Sequence, residues 1–330
     1  MLFSRFFLYN TKLNKLSARL NGRADGGVKC GMRERMTPKR MMITAMAVFG
    51  TLGVFVRHIS VSSAELALYR AVMAVLLLGG FLAVTGQKIP FREIRKEIPL
   101  LLLSGVAMGF NWILLFEAYK YTTVSVATLS YYFAPVIVTV VCPLLFREKM
   151  TAKNWICFGM STLGIILITG LGESSAGENS LLGIAFGLGA ACLYATVILL
   201  NKFIKGVEGL HRTFLQFIAA VLVLLPYVAL TDGMTLASMD AAGWVCLLIV
   251  GIVHTGIIYC LYFSALKELP GQEAAILSYI DPLVAVLCSV LILGENLMLT
   301  QGLGGMLILG FTLWNEISPG SNDKQNKEDG

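Results

Sequence analysis

The chain has 330 residues, of which 56% are hydrophobic and only 14% charged, with a formal net charge of +6. Soluble chains carry roughly 25% charged residues, so no water-facing shell can be assembled from this material, and a soluble enzyme, a disordered protein and a coiled coil are excluded. The basic excess is no nucleic-acid signal, because ten basic residues crowd between Met1 and Arg40 alongside only Asp25 and Glu34.

Residues 1–40 read as a leader: a basic juxtamembrane tail, an Arg-rich targeting peptide, or sequence upstream of a start at Met32 or Met36. At about 20 residues per crossing, the apolar runs that follow predict ten membrane helices. Those of the first set span Met41–Val56, Ala64–Thr85, Ile98–Tyr119, Val124–Phe146 and Trp155–Gly170; those of the second span Leu181–Ile204, Thr213–Leu230, Ala242–Leu266, Gln272–Leu293 and Leu299–Trp314. Residues 41–170 and 181–314 form one unit each, and residues 315–330 form a polar tail. The fold class expected is therefore an all-α integral membrane protein.

Lys and Arg accumulate in cytoplasmic loops. With the N-terminus inside, the inner segments hold Lys88, Arg92, Arg95 and Lys96, then Arg147, Lys149 and Lys153, then Lys202, Lys205 and Arg212, and finally Lys267. The outer loops hold Arg57 and Lys120 but are otherwise acidic, with Glu173, Glu178, Asp232 and Asp240. A multi-pass protein of the cell membrane with both termini cytoplasmic is expected, working as a monomer or homodimer. The seven cysteines have no C-x-x-C spacing and read as small hydrophobes; the three histidines form no zinc motif, and no nucleotide-binding G-x-x-x-x-G-K-[ST] occurs. No cofactor or metal is implied.

The chain repeats itself. Pro135 and Pro282 are 147 residues apart, as are Glu148 and Glu295, and the same offset pairs Gly109 with Gly256, Phe116 with Phe263, Lys120 with Lys267 and Tyr132 with Tyr279. Apolar matches are common in membrane proteins, whereas Pro, Glu, Lys and Tyr sharing one ungapped spacing are not. Five helices per unit force the second unit to enter the membrane from the opposite side, which assigns Glu148 to the inside and Glu295 to the outside. Inverted repeats of this kind are a usual plan of secondary transporters, whose halves meet around a midplane site.

The stretches "LSYYFAPVIVTVVCPLLFREKMTAKNWICFGMSTLGIILITG" and "LSYIDPLVAVLCSVLILGENLMLTQGLGGMLILG" resemble the ends of the two EamA repeats of the drug/metabolite transporter superfamily. That pattern has a proline midway along the fourth and ninth helices, an apolar run, a Glu and a Gly-rich last helix. The resemblance covers about Met41 to Trp314 and implies two inverted five-helix repeats with a cavity between them. It also implies transport of small metabolites, amino acids, related or drug-like compounds, often outward. A membrane-embedded enzyme would need clustered nucleophiles, ligands or acids, and a channel or binding protein gains little from an inverted repeat.

Charged or polar groups in hydrocarbon are costly and ask for a role. Arg70 is either an anchor for a substrate carboxylate or a side chain that snorkels outward or pairs with Glu65. Asn111, on a stripe with Ser104, Met108 and Leu115, is a cavity wall or an interhelical hydrogen bond. His254, mid-span in the eighth helix, is a substrate or proton site or a packing residue. Pro135 and Pro282 should kink their helices; beside them Tyr131, Tyr132, Tyr279 and Asp281 are candidate substrate contacts, each with packing as the alternative. Asp281 and His254 are also candidate proton carriers, and Glu117 is a gate acid or an interfacial residue. Glu148 and Glu295 read as caps or loop contacts.

Overall fold

The computed structural model describes residues 36–87, 89, 94–146, 151–169, 178–207, 209–231, 235–269 and 271–317. Glu148 and most of the leader and tail lie outside them. The described residues are all-helical and make ten crossings. The first combines α1 (Pro38–Gly50) and α2 (Leu52–Val56); α3 (Ser63–Thr85) and α4 (Ile98–Tyr121) are the second and third; α5 (Val124–Tyr131) with α6 (Ala134–Phe146), and then α7 (Ala152–Thr169), complete the first set. The second set is α8 (Glu178–Phe203), α9 (Gly209–Thr231), a composite of α10 (Ala241–Leu248), a π-helix (Ile249–Ile257) and α11 (Ile258–Glu268), then α12 (Gly271–Ser278) with α13 (Ile280–Leu291), and α14 (Leu299–Ile317). Among the described residues seven spans are long and apolar enough to cross a bilayer, and Ala152–Ile168 and Ile276–Leu291 are shorter apolar helices.

Local chemistry sets the ends. Ser62, Thr123 and Asp240 cap α3, α5 and α10 by accepting hydrogen bonds from Glu65 N (3.1 Å), Val126 N (3.2 Å) and Gly243 N (2.9 Å), each satisfying a donor that the helix itself leaves unpaired. Gly86 ends α3 in the left-handed region at φ 66°, where a side chain would be strained. The outside of the bundle is apolar, with Leu76, Leu222, Leu287 and Met306 all exposed, a surface suited to lipid and not to water.

Equivalent helices of the two sets pack in equivalent ways. The first crossing lies against the eighth and ninth, and the sixth against the third and fourth. The fifth and tenth pair with each other, and they meet at Gly164 and Gly304: a Cβ on Gly164 would stand 2.6 Å from the Gly304 carbonyl oxygen. The two sets are thus interleaved.

The fourth and ninth crossings are each interrupted just ahead of the proline. α5 gives way to α6 at Tyr132 (φ −70°, ψ 5°) and α12 to α13 at Tyr279 (φ −71°, ψ −8°). These residues are the pair separated by 147 positions, so the repeat in the sequence is also a repeat in the backbone. Pro135 and Pro282 fall in the first turn of α6 and α13, where a helix leaves N–H groups without partners and a proline costs nothing. The break therefore precedes the proline.

Alternate ends of the crossings gather at two faces. At the near end, where α1 begins, Glu97 accepts from Lys205 N and Gly206 N at 3.0 Å. At the far end Arg57 donates to Thr122 O and to Glu295 Oε1, both at 2.7 Å, and Glu65 accepts from Thr235 N at 2.8 Å. With five crossings per set, the second set starts at the far end.

Candidate functional site

Between the two sets lies a cavity of about 990 Å³, at the upper end of the range for small-molecule sites. It runs from Gly53 and Tyr119 to Asn201, Gly209 and Arg212, which border the near end. Of the residues singled out from the sequence, Arg70, Asn111, Tyr131, Tyr132, Pro135, Tyr279 and Asp281 line it. His254, Glu117 and Pro282 do not.

Arg70 is only 4% exposed, so it does not snorkel. Its Nε donates to Thr255 Oγ1 at 3.1 Å, and the guanidinium lies over the Trp112 ring at 4.4 Å and near the Phe116 ring at 5.9 Å, an arrangement in which the aromatic faces offset part of the charge. Glu65 is engaged elsewhere, accepting from the Tyr69 hydroxyl (2.6 Å) and the Thr235 hydroxyl (2.5 Å). Among the described residues Arg70 has no carboxylate partner.

Asp281 stands in the first turn of α13, where the helix dipole favours an anion, and its Oδ2 accepts from the Tyr132 hydroxyl at 2.7 Å. That bond ties the two helix breaks together, one from each set. Tyr131 packs against Tyr132 and Tyr194 with ring centres 6.0 and 5.3 Å apart, and Tyr259 bridges Phe49 and Phe217 at 5.3 and 5.6 Å. The cavity thus has an aromatic wall carrying hydroxyl groups, and both Arg70 and Asp281 border it.

Asn111 both borders the cavity and donates to Ala190 O at 2.6 Å, so its two readings coincide. His254 is 1% exposed; its Nε2 meets the Thr51 hydroxyl at 3.0 Å, its Nδ1 lies 3.4 Å from Ile249 O, and Phe55 packs on its edge. Glu117 pairs with Lys120 at 3.1 Å on a partly exposed rim.

Trp112, Tyr194, Tyr259 and Tyr262 also line the cavity and were not among the sequence candidates. A signal for two of them was present. The 147-residue offset carries Trp112 to Tyr259 and Leu115 to Tyr262, whereas it carries His254 back to Ala107, off the stripe of Met108, Asn111 and Leu115.

The far end is closed by contacts between the sets. Glu295 pairs with Arg57 through Oε1, and through Oε2 accepts from Val124 N, the first residue of α5, at 2.8 Å and from the Ser289 hydroxyl. Behind this closure a smaller recess of about 230 Å³ contains Arg57, Phe116 and Lys120. Tyr119 borders both the recess and the cavity.

The model of the EamA-like transporter family matches residues 40–170 and again residues 181–315. The chain belongs to the EamA-like transporter family. It is 30% identical over 277 residues to an uncharacterized transporter, YxxF, of Bacillus subtilis, covering 84% of this chain and 88% of that one. An uncharacterized transporter of Archaeoglobus fulgidus is 29% identical, with 83% and 95% covered, and the protein PecM of Dickeya dadantii is 26% identical, with 70% and 75% covered. A solved crystal structure shares the fold at a TM-score of 0.56 and 14% identity, over 83% of this chain and 95% of that one. This EamA protein is a multi-pass membrane transporter and not an enzyme, with the cavity enclosed by its duplicated halves.

Proposed function

We propose that the protein is a secondary transporter that exports small organic metabolites across the cytoplasmic membrane by alternating access. The observation that carries this reading is the cavity itself. It lies between two like halves, reaches the near end at Asn201 and Arg212, and is shut off from the far end by Arg57, Glu295 and Tyr119. The near end carries Lys153, Lys202, Lys205 and Arg212, which supports a cytoplasmic near face, both termini inside, and loading from the cytoplasm. In this reading residues 41–170 and 181–314 are the two inverted repeats, flanked by the leader and tail, and Arg70, Asn111, the tyrosines and Asp281 contact the solute.

Rocking the halves would separate Arg57 from Glu295 and open the far end, while the near end closes over Asn201 and Arg212. Counterflow in proteoliposomes tests the reading: vesicles loaded with a broad metabolite pool should exchange at least one member with the outside. Absence of flux for every member, from protein shown to be folded and inserted, overturns it.

A further inference from the structure

The recess at the far end lies beyond the central cavity. It holds about 230 Å³ and is lined from Val56–Leu66 and Phe116–Lys120, all residues of the first set. Its charged side chains are Arg57 and Lys120, and each is answered by one carboxylate. Lys120 donates to Glu117 Oε1 at 3.1 Å, and Arg57 Nη2 donates to Thr122 O and to Glu295 Oε1, both at 2.7 Å. Glu65, in the same part of the chain, spends its carboxylate on Tyr69 and Thr235. As it stands the recess is electrically balanced.

That balance is lent by the other set. Glu117 and Thr122 belong to the first set, as the recess does, whereas Glu295 belongs to the second. Separation of Arg57 from Glu295 leaves two cations with one carboxylate, an excess of one positive charge beside a guanidinium that is only 32% exposed. A charge partly withdrawn from water gains from a new partner. Among the described residues Nε and Nη1 of Arg57 make no hydrogen bond, and one hydrogen of Nη2 goes to Glu295. Whichever of the two Nη2 hydrogens that is, its release restores an intact donor edge with either Nε or Nη1, the fork that matches a carboxylate.

We propose that the far recess is an anion site, taking a small singly charged carboxylate from the solution at the far end, and that its occupancy favours opening of that end. This rests on the alternating-access reading above. An anion that binds the open arrangement more tightly than the balanced, closed one shifts the population toward opening by that difference. Arg57 supplies the paired donors and Lys120 a second cation on the same wall. The volume admits an anion of a few heavy atoms, and the excess of one charge suits a monoanion such as acetate.

The test uses the full chain, without its native cysteines and with Tyr131→Cys, in proteoliposomes of one orientation; a membrane-impermeant thiol reagent applied at the far end reports opening there. Sodium acetate at that face should speed labelling saturably, by about threefold or more. Sodium lactobionate at equal ionic strength, whose anion is too large for the recess, should not. Lys120→Gln should raise the acetate concentration for half the effect about fivefold, Lys120→Arg should restore it, and Arg57→Gln should abolish the response. Glu295→Gln keeps an acceptor for the Val124 N–H but leaves Arg57 unanswered, and by calorimetry it should bind acetate about fivefold more tightly than the parent. Acetate that leaves labelling unchanged or slows it, equal effects of the two salts, equal acetate affinity of the Glu295 variant and the parent, or full responses in folded Lys120→Gln and Arg57→Gln overturn the anion site. Labelling that proceeds from the far end but ignores acetate leaves alternating access standing, whereas no far-end labelling in any variant, Arg57→Gln included, removes both.

Discussion

The Arg57 guanidinium meets the Glu295 carboxylate at 2.7 Å, joining the end of the first crossing to the turn before the last across 238 residues of chain. The pair alone is worth little, because Arg57 is 32% exposed and partly exposed ion pairs contribute about 1 kcal/mol or less. Glu295 does more: it also answers the Val124 N–H at the start of α5 and the Ser289 hydroxyl. Glu295→Ala is therefore expected to cost about 1–3 kcal/mol through the unmet donors, visibly more than Arg57→Gln. Thermal unfolding followed by size-exclusion chromatography checks the order; equal losses would reduce Glu295 to its ion pair.

Tyr119 is 5% exposed and is the side chain shared by the cavity and the far recess. Tyr119→Ala should join the two spaces and admit small molecules from the far end. In a cysteine-free background with a cysteine at position 131, a membrane-impermeant thiol reagent applied from that end should label the variant faster, by about tenfold or more, than the parent. Unchanged labelling would mean that the seal lies elsewhere, at Leu52 or Val56.

The crossing of α7 and α14 leaves no space for side chains at its centre. Gly164→Leu must push against the Gly304 carbonyl and Ile308, an overpacking that costs about 1–3 kcal/mol or more. Gly159 and Gly310, on the same helices, face open space, and alanine at either should leave the unfolding temperature nearly unchanged. Equal effects at Gly159 and Gly164 would contradict the close approach.

Asp281 and His254 separate in a pH series. His254 has both ring nitrogens turned to the protein and does not line the cavity, so His254→Gln should follow the wild-type pH profile of transport at reduced stability. Asp281 does line it, and Asp281→Asn removes the carboxylate that a proton or an ammonium group would neutralise. Transport by this variant should be flat over about pH 6 to 8 wherever the wild type varies. A flat His254 variant beside an unaltered Asp281 variant would reverse the two roles.

Much of the architecture was legible in the sequence because the bilayer imposes it. Ten apolar runs, the basic near-end segments and the 147-residue spacing of Pro135 with Pro282 all reflect length, charge and duplication, which a linear chain displays openly. The aromatic wall was harder to see, since Tyr194, Tyr259 and Tyr262 differ in no composition from residues that merely pack. The repeat offset carries the information for Tyr262, the counterpart of Leu115 on the stripe, whereas Tyr259 is the counterpart of Trp112, which the stripe leaves out. The interruptions at Tyr132 and Tyr279 stand just ahead of Pro135 and Pro282, where the sequence places the kinks. A proline announces a disrupted helix but not which residue yields, and here the preceding Tyr yields because the proline is comfortable in a first turn. Arg70 escaped a unique reading because its partners, Thr255 and Trp112, come from the other half of the chain and from the next helix.

The matched breaks at Tyr132 and Tyr279 bear on energetics more than on shape. Two halves of like backbone facing opposite ways can exchange conformations, and the exchanged molecule would open at the far end with nearly the same internal contacts. Near-degeneracy of two end states is then inherited from the duplication and needs no fine adjustment. The departures from symmetry carry the bias: an arginine at position 70 where the 147-residue offset gives Phe217, an aspartate at 281 where it gives Ala134. Cargo that engages such residues tips a balance that the rest of the chain leaves almost level.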